Sequence, residues 1–177
     1  MSFHKLFFLI LLTVFIVSCK DQTPVNQVVQ RSNGEVEEET PLMRGNRKKI
    51  RLEDENIDLF LKRYGWMMIK TETGLRYEIL KKGKGMIPKE GDLVEIQYVT
   101  QFLTGDTVYT SHDKGNISFH VQKTDQIVGL HEAVQLFPKG TKARLVIPSH
   151  LAYGISGDGD RIIGQKTLVM TIEINEK

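Results

Sequence analysis

The sequence predicts an α+β domain in which one internal helix crosses one face of a mostly antiparallel sheet, preceded by an amphipathic leading helix. Runs with apolar residues at alternate positions, separated by turn residues, recur from residue 75 onward. The apolar period changes to that of a helix over residues 53–65 and 124–137. No segment repeats with a period of roughly 20 to 50 residues, which excludes a solenoid.

The first eighteen residues resemble a bacterial lipoprotein signal. His4 and Lys5 give a basic start, residues 6–17 form an apolar run, and Cys19 follows a serine. The run is shorter than the ~20 residues that a spanning helix needs, so we interpret residues 1–18 as a signal peptide and expect lipidation of Cys19. The alternative is an uncleaved N-terminal anchor, and both interpretations place the chain at a lipid bilayer.

Residues 19–50 are expected to form a flexible charged tether. They carry an acidic cluster within residues 35–39 and a basic cluster within residues 44–49, with no aromatic residue. Such a segment can bury little apolar surface. The alternative is that the two charged blocks bind lipid headgroups or a partner in the envelope machinery.

A leading helix and a first strand are predicted over residues 51–70. Acidic residues crowd the first turns and basic residues the last, as the helix dipole favours, and Gly65 can end the helix. Four apolar residues recur at helical spacing: Ile57, Phe60, Leu61 and Tyr64.

The domain proper is predicted over residues 71–177, where five or six strands are expected to build one sheet. The strand-like segments of this domain are 75–81, 92–103, 107–110, 117–121, 141–147 and 167–174, and residues 66–70 form the first strand that precedes them. The internal helix would bury one apolar face, made of Ile127, Leu130, Ala133, Val134 and Phe137.

Composition excludes several kinds of chemistry. Cys19 is the only cysteine, so we expect no disulfide, cysteine-based zinc site or thiol nucleophile in the folded part. The histidines do not pair at metal-ligand spacing, and no P-loop or Rossmann glycine pattern occurs. We therefore predict no metal and no cofactor. Of the 24 Lys and Arg, one lies in the signal, and the remaining 23 nearly balance 22 Asp and Glu, so no nucleic-acid partner is expected.

Residues 148–160, PSHLAYGISGDGD, place Tyr153 at the lip of a glycine-rich loop. A large aromatic residue between glycines on a loop has less reason to be buried than one on a strand. Ser149 does not lie in a nucleophile elbow, so a serine hydrolase is not supported. Tyr153 is therefore a candidate functional residue, although periodicity alone indicates only a membrane-tethered α+β domain.

Five segments carry a resemblance to a known family: VEIQY after Gly91 and Asp92, GDTVYTS, DQIVGLHEAV, KARLVIPSHLAYG and TLVMTIEI. In this order they resemble an FKBP-type (FK506-binding-protein-type) peptidyl-prolyl cis-trans isomerase, whose antiparallel sheet wraps around one short helix. The signal, the tether and the Gly65-Trp66 pair that follows the leading helix resemble the gliding-motility-associated isomerase lipoproteins of Bacteroidetes. The resemblance implies an isomerase acting on proline-containing clients, anchored on the periplasmic side of the cell envelope.

The resemblance also implies a shallow apolar pocket for proline between the sheet and the helix. The backbone N–H of Ile127 would donate to the peptide, and the Tyr153 hydroxyl would reach over the pocket. The implied catalytic residues are Tyr98, Phe119, Ile127, Leu130 and Tyr153. The implied substrate-binding residues are Val108, Tyr109, Gln126, Met170 and, as alternatives at the rim, Ile162 and Ile163. The alternative for each apolar residue taken singly is ordinary core packing.

Three residues depart from the family pattern. Leu130 stands in place of a tryptophan and Val108 in place of a phenylalanine, and both changes enlarge and soften the pocket. Tyr109 stands where the family often has an aspartate that sets the polarity of the site. Two alternatives to an efficient isomerase therefore remain. One is an FKBP-like binding or chaperone module with little catalysis, and the other is a structural lipoprotein that docks through its tether.

Overall fold

The computed structural model describes residues 40–176. The predicted signal, the lipidation of Cys19 and most of the predicted tether lie outside the described residues. Within residues 40–176, no helix combines the length and the apolar character needed to cross a bilayer.

The leading helix, α1 (Pro41–Tyr64), begins earlier than the predicted boundary at residue 51, so the last part of the predicted tether is helical. Thr40 has an extended backbone, and its side chain accepts a hydrogen bond from the N–H of Met43 at 3.3 Å. The proline at the first helical position has no N–H to leave unpaired. Because residues 41–50 are exposed throughout, they carry no apolar period that would have marked this start.

Seven strands in the described residues form one antiparallel sheet in the order β1-β2-β6-β7-β3-β4, and β5 pairs with the first half of β3 on the edge that β4 uses further along. The strands are β1 (Ile69–Lys70), β2 (Arg76–Lys81), β3 (Leu93–Phe102), β4 (Thr107–Thr110), β5 (Ile117–His120), β6 (Lys142–Ile147) and β7 (Leu168–Ile174). The helices after α1 are α2 (Ser111–Lys114), α3 (Val128–Val134) and a 3-10 turn (Ser149–Leu151). The predicted fold class is confirmed.

One face of the sheet covers α3, as predicted. The five helical apolar residues expected to be buried all lie in the core, with Ala133, Val134 and Phe137 fully buried. The helix is shorter than the predicted 124–137, because it begins only after Ile127, whose ψ of 138° is extended.

Gly129 sets how closely α3 approaches the sheet. A Cβ at this position would lie 2.5 Å from Cγ2 of Ile147 and 3.2 Å from the carbonyl oxygen of Leu151. Ile147 is fully buried, so its branched side chain has little room to move. The missing side chain therefore lets α3 lie against β6 and the 3-10 turn.

The opposite face of the sheet packs against α1. Ile57 and Phe60 from α1 form a second apolar cluster with Val146 of β6 and Val169 of β7. Burial of each such side chain stabilises the fold by about 1.5–3 kcal/mol. The leading helix is thus a third layer on the sheet.

A buried arginine joins α1 to β2. Arg76 is 1% exposed, and its guanidinium lies 2.6 Å from Asp54 Oδ1 and 2.9 Å from Asp58 Oδ1. It also donates to the carbonyl oxygen of Gly74 at 3.1 Å. The hydrogen bond from Lys70 and the pair with Arg76 together outweigh burial and lower the pKa of Asp54. The alternation of β2 gave no sign that this residue would be buried.

Candidate active site

A small cavity of about 40 Å³ lies between the sheet, the start of α3 and the loop after β6. Seven of the eleven predicted site residues line it: Tyr98, Tyr109, Gln126, Ile127, Leu130, Tyr153 and Met170. Three residues that the sequence analysis did not name complete the lining: Thr100, Ile117 and Leu168. All three lie two positions from a predicted site residue on the same strand, so strand alternation could have identified them.

Strand register builds the sheet wall of the cavity. Thr100 of β3 lies opposite Met170 of β7. Tyr98 lies two residues before Thr100 on β3, so its side chain is on the same face of the sheet. Leu130 of α3 faces them and is 1% exposed, so an aliphatic side chain occupies the position where the family resemblance expects tryptophan. The buried side chains of Leu130 and Met170 therefore give the cavity an apolar floor.

The other four predicted residues lie elsewhere. Val108, Phe119 and Ile162 are buried in the core outside the cavity lining. The ring of Phe119 meets His131 edge-on at a centroid distance of 5.1 Å. Ile163 is 65% exposed and lines a separate groove. The two candidates for the rim therefore separate, with Ile162 in the core and Ile163 at the surface.

His131 fixes the segment that leads into α3. Its Nδ1 accepts a hydrogen bond from the N–H of Gln122 at 3.0 Å, and its Nε2 lies 3.1 Å from the carbonyl oxygen of Thr124. With Nδ1 as acceptor, a proton on Nε2 satisfies both contacts. His131 thus has a structural role beneath the site.

The backbone N–H of Ile127 already has a partner. The side-chain oxygen Oε1 of Gln126 accepts its hydrogen bond at 2.8 Å. This N–H is the group that the family resemblance expects to donate to a bound peptide. A peptide carbonyl that takes this hydrogen bond must first displace the Gln126 side chain.

Tyr109 fastens the loop after β6 beside the cavity. Its hydroxyl donates to Asp158 Oδ2 at 2.6 Å and lies 3.1 Å from Asp160 Oδ2. The same oxygen accepts from the backbone N–H of Arg161 at 3.2 Å, and Arg161 Nη1 donates to the carbonyl oxygen of Val108 at 3.0 Å. The carboxylate of Asp158 therefore lies next to Tyr109, which itself lines the cavity.

The ionisation of this pair follows from its contacts. Desolvation, followed by the hydrogen bond to Asp158, raises the pKa of Tyr109 to about 12. Burial disfavours the charged form of Asp158, but hydrogen bonds from Tyr109 and from the backbone N–H groups of Asp160 and Ile162 outweigh it and lower the pKa of Asp158. At neutral pH the pair is a tyrosine donor and a carboxylate acceptor.

Tyr153 lines the cavity with a neutral phenol. Desolvation, with a smaller effect of Asp158, raises the pKa of Tyr153 above its usual value. Desolvation likewise raises the pKa of Tyr98, with a smaller effect of Asp113. Both phenols therefore stay protonated at neutral pH and can donate hydrogen bonds without acting as bases.

Glu53 of α1 reaches the loop that carries Tyr153. Its carboxylate accepts hydrogen bonds from the backbone N–H of Ser149 at 2.7 Å, from the Ser149 hydroxyl at 2.9 Å and from the Thr167 hydroxyl at 2.6 Å. The sequence pattern marked Glu53 only as one of the acidic residues at the start of a helix. Contacts across the tertiary fold give it a second role, because it caps the 3-10 turn that leads to Tyr153.

No cluster of metal-binding side chains occurs in the part of the chain that the structure describes. Residues 40–176 contain no group of three His, Asp or Glu side chains placed to hold a metal ion.

Comparisons with known proteins agree with this architecture. The family model of the FKBP-type peptidyl-prolyl cis-trans isomerases matches residues 84–175. The chain is 37% identical over 106 residues to a probable FKBP-type peptidyl-prolyl cis-trans isomerase FkpA of Neisseria meningitidis serogroup B, covering 59% of the chain and 38% of that relative. It is 33% identical over 102 residues to the outer membrane protein MIP of Legionella longbeachae, covering 58% and 43%. The chain thus spans less than half the length of these two relatives.

A solved structure shows the same arrangement. The crystal structure of FkpA from Escherichia coli matches with a TM-score of 0.62 and 31% identity, over 75% of this chain and 60% of that chain. The family match covers more than half of the 177 residues, and it contains every residue that lines the cavity. On this evidence, the chain belongs to the FKBP-type peptidyl-prolyl cis-trans isomerase family.

Proposed function

We propose that this chain accelerates cis-trans isomerisation of X-Pro peptide bonds in client polypeptides. The observation that carries the proposal is the cavity itself, whose lining brings the buried aliphatic side chains of Leu130 and Met170 together with the neutral phenol of Tyr153. No Cys, Ser, Lys, His or carboxylate side chain is among the residues that line this cavity, and the reaction requires no nucleophile, because no covalent bond is made or broken.

The reaction needs a lower barrier to rotation about one amide bond. Amide resonance sets that barrier at about 18–20 kcal/mol, and uncatalysed exchange takes tens to hundreds of seconds. Rotation removes the resonance and with it much of the charge separation of the planar amide. A desolvated apolar cavity therefore stabilises the twisted amide relative to the planar one, and only such differential stabilisation raises the rate.

Each side of the cavity has a proposed task. The proline ring packs on Leu130, Met170 and Tyr98, which are all less than a tenth exposed. The Tyr153 hydroxyl donates to a peptide carbonyl. The N–H of Ile127 donates to a second carbonyl after the Gln126 side chain has moved away.

An exchange measurement tests the proposal directly. A blocked tetrapeptide with a central X-Pro bond is followed by NMR exchange spectroscopy, with and without the purified protein. We expect exchange to accelerate in proportion to protein concentration. A rate equal to that of the free peptide, in the presence of protein with a folded circular dichroism spectrum, would contradict the proposal.

A second candidate is a binding or chaperone module with little catalysis. Two observations favour it: Leu130 makes the floor softer than a tryptophan would, and Gln126 occupies the N–H of Ile127. This alternative predicts that the protein suppresses aggregation of an unfolded proline-containing client without accelerating prolyl exchange. Measuring both properties on the same preparation separates the two candidates.

The proposed location is the periplasmic side of the cell envelope, with a lipid anchor on Cys19. Support comes from the apolar run ahead of this cysteine and from the similarity to the outer membrane protein MIP of Legionella longbeachae. Metabolic labelling with palmitate, followed by membrane fractionation, tests the anchor. We expect Cys19→Ser to lose both the label and the membrane association. Label retained in the variant would contradict lipidation at this residue.

Docking to the envelope machinery through the charged tether stays a proposal as well. Pull-down with the full chain and with a chain that lacks residues 20–39 tests it, because only the full chain should retain a partner bound by the tether.

A further inference from the structure

A groove larger than the cavity lies beside the candidate active site. Its volume is about 900 Å³, and it runs between α1 on one side and the ends of β3 and the loop after β6 on the other. Ligand-binding pockets have volumes of roughly 300–1,000 Å³. The family match begins at residue 84, so the helical wall lies outside the segment that identifies the family. We call this feature the helix groove.

Both walls of the helix groove present exposed aliphatic side chains. Ile50 and Leu52 of α1 are 53% and 44% exposed, and Ile155 and Ile163 of the loop are 83% and 65% exposed. Single exposed aliphatic residues are common on protein surfaces. Several that line one concave surface indicate a binding site.

The helix groove adjoins the cavity. Tyr153 lines the cavity, whereas the next residues, Gly154 and Ile155, line the groove. At the start of β7, Thr167 lines the groove and the next residue, Leu168, lines the cavity. An extended chain advances about 3.3–3.6 Å per residue, so a polypeptide with its proline in the cavity reaches the groove within a few residues.

The charges around the helix groove favour an acidic ligand. Lys49, Arg161 and Lys166 line it, against Glu53 and Asp106. The carboxylate of Glu53 is taken up by three hydrogen bonds from Ser149 and Thr167. Within the described residues, Lys49 and Lys166 have no ion-pair partner. A bound segment with a carboxylate would therefore find cations that are free to pair with it.

We propose that the helix groove binds the segment of the client polypeptide that flanks the target proline, with a preference for apolar and acidic side chains. This inference rests on the proposed isomerase function, because that function makes a polypeptide the ligand of the adjoining cavity. The leading helix then extends the substrate contact beyond the residues around the X-Pro bond.

A pair of peptides tests the inference on the full protein. One is a blocked X-Pro tetrapeptide, and the other has the same core, extended on both sides by leucine, phenylalanine and aspartate. NMR exchange gives kcat/KM for each. We expect the ratio of kcat/KM, extended over short, to be about ten, which corresponds to about 1.4 kcal/mol of additional binding.

Matched variants on α1 locate the effect. Leu52→Glu places a charge in the helix groove, and we expect the ratio to fall to about one. Leu59→Glu is the control, because Leu59 is 63% exposed on the same helix and does not line the groove. This control should keep the ratio of the parent protein. Equal ratios in the two variants would overturn the inference, as would a ratio of one in the parent protein.

A separate variant tests the preference of the helix groove for acidic side chains. Lys166→Glu should weaken the extended aspartate peptide several-fold and strengthen a version in which lysine replaces aspartate. An identical response of both peptides would overturn the acidic preference.

The same measurements distinguish failure of the isomerase proposal from failure of the groove proposal. If the tetrapeptide is not turned over at all, the isomerase function fails. Fluorescence anisotropy with a labelled extended peptide then decides whether the helix groove binds it. Binding that Leu52→Glu weakens and Leu59→Glu does not would support the groove, and equal binding to both variants would overturn it.

Discussion

The carboxylate of Glu53, in the leading helix, accepts hydrogen bonds from both the backbone N–H and the hydroxyl of Ser149, 96 residues further along the chain. Ser149 opens the 3-10 turn that leads to Tyr153, the candidate donor to the substrate. The helix outside the family match thus fixes the base of a loop inside it. The leading helix therefore supports the loop that carries Tyr153.

Glu53→Gln should therefore lower kcat for the X-Pro tetrapeptide several-fold, because an amide accepts the three hydrogen bonds less well than a carboxylate. Charge-assisted hydrogen bonds contribute about 1.5–3 kcal/mol each, so we also expect the free energy of unfolding to fall by about 1–2 kcal/mol. Exchange kinetics and urea titration measure the two effects. Glu55→Gln is the control, since among the described residues Glu55 pairs with Arg51 alone, at the exposed helix surface. Equal kcat in both variants would contradict the positioning role.

Tyr153→Phe should lower kcat about three- to tenfold, because a hydrogen bond to a carbonyl contributes about 0.5–1.5 kcal/mol. The ring remains, so the thermal midpoint should change little. Tyr64→Phe, at a 51% exposed position of α1, is the matched control and should leave kcat unchanged. Unaltered turnover in Tyr153→Phe would remove the role proposed for its hydroxyl.

Gln126→Ala should lower KM two- to threefold, because it releases the N–H of Ile127 from the Gln126 side chain and removes a competitor of the peptide carbonyl. Steady-state analysis of the exchange rates measures the change. Gln97→Ala, at an exposed position of β3, controls for the loss of an amide side chain. A higher KM in Gln126→Ala would show that the side chain itself contacts the substrate.

Asp158→Asn should change the pH dependence of stability. The pKa of Asp158 is lowered in the folded state, so its stabilising effect is present above its unfolded value of about 3.8 and disappears as the pH falls through the folded pKa. Urea titrations from pH 6 down to pH 2.5 should therefore show a smaller loss of stability in the variant than in the parent protein. Parallel curves for the two proteins would contradict this contribution.

The partner of Asp158 acts at the other end of the pH scale. The pKa of Tyr109 is raised from 10.0 to about 12, so its contribution is complete below pH 10 and lost as the pH rises toward 12. Tyr109→Phe should flatten that alkaline loss of stability. An alkaline loss as steep as that of the parent protein would assign it to other groups.

Gly129→Ala should destabilise the fold by about 1–3 kcal/mol, the usual range for an added methyl group in a packed core, because its Cβ would meet Ile147 at 2.5 Å. Gly45→Ala is a matched control within α1, where nothing lies within 4 Å of the added Cβ. There the greater helix propensity of alanine should stabilise the fold by up to about 1 kcal/mol. Thermal and urea unfolding measure both. Similar values for the two variants would contradict the close approach at Gly129.

Local patterns identified most of the strands and the two main helices, and the family resemblance identified most of the residues that line the cavity. The alternation over residues 92–103 predicted a strand with one buried face, and Val94, Ile96 and Tyr98 are buried. The helical period of residues 127–137 identified the face of α3 that the sheet covers. Such patterns work because burial of one face imposes a period on the sequence itself. The start of α1 was missed because its first ten residues are exposed on every side.

Three buried residues that the family resemblance places in the site lie outside the cavity lining. Val108, Phe119 and Ile162 are apolar and buried, as the pattern indicates, but they fill the core outside the cavity lining. A period says which face of a strand is buried. It does not say which buried side chains border an opening, because that depends on how closely α3 and the loops approach the sheet.

The sequence by itself determined the α+β class, the order of the elements, the apolar faces that meet in the core and the family to which the domain belongs. The tertiary structure decided the hydrogen bonds of Glu53 with Ser149 and of Tyr109 with Asp158, and the buried pairing of Arg76 with two aspartates. These contacts join residues far apart in the chain. Whether two polar groups come within hydrogen-bond distance depends on register, loop path and helix docking, which leave no period in the sequence.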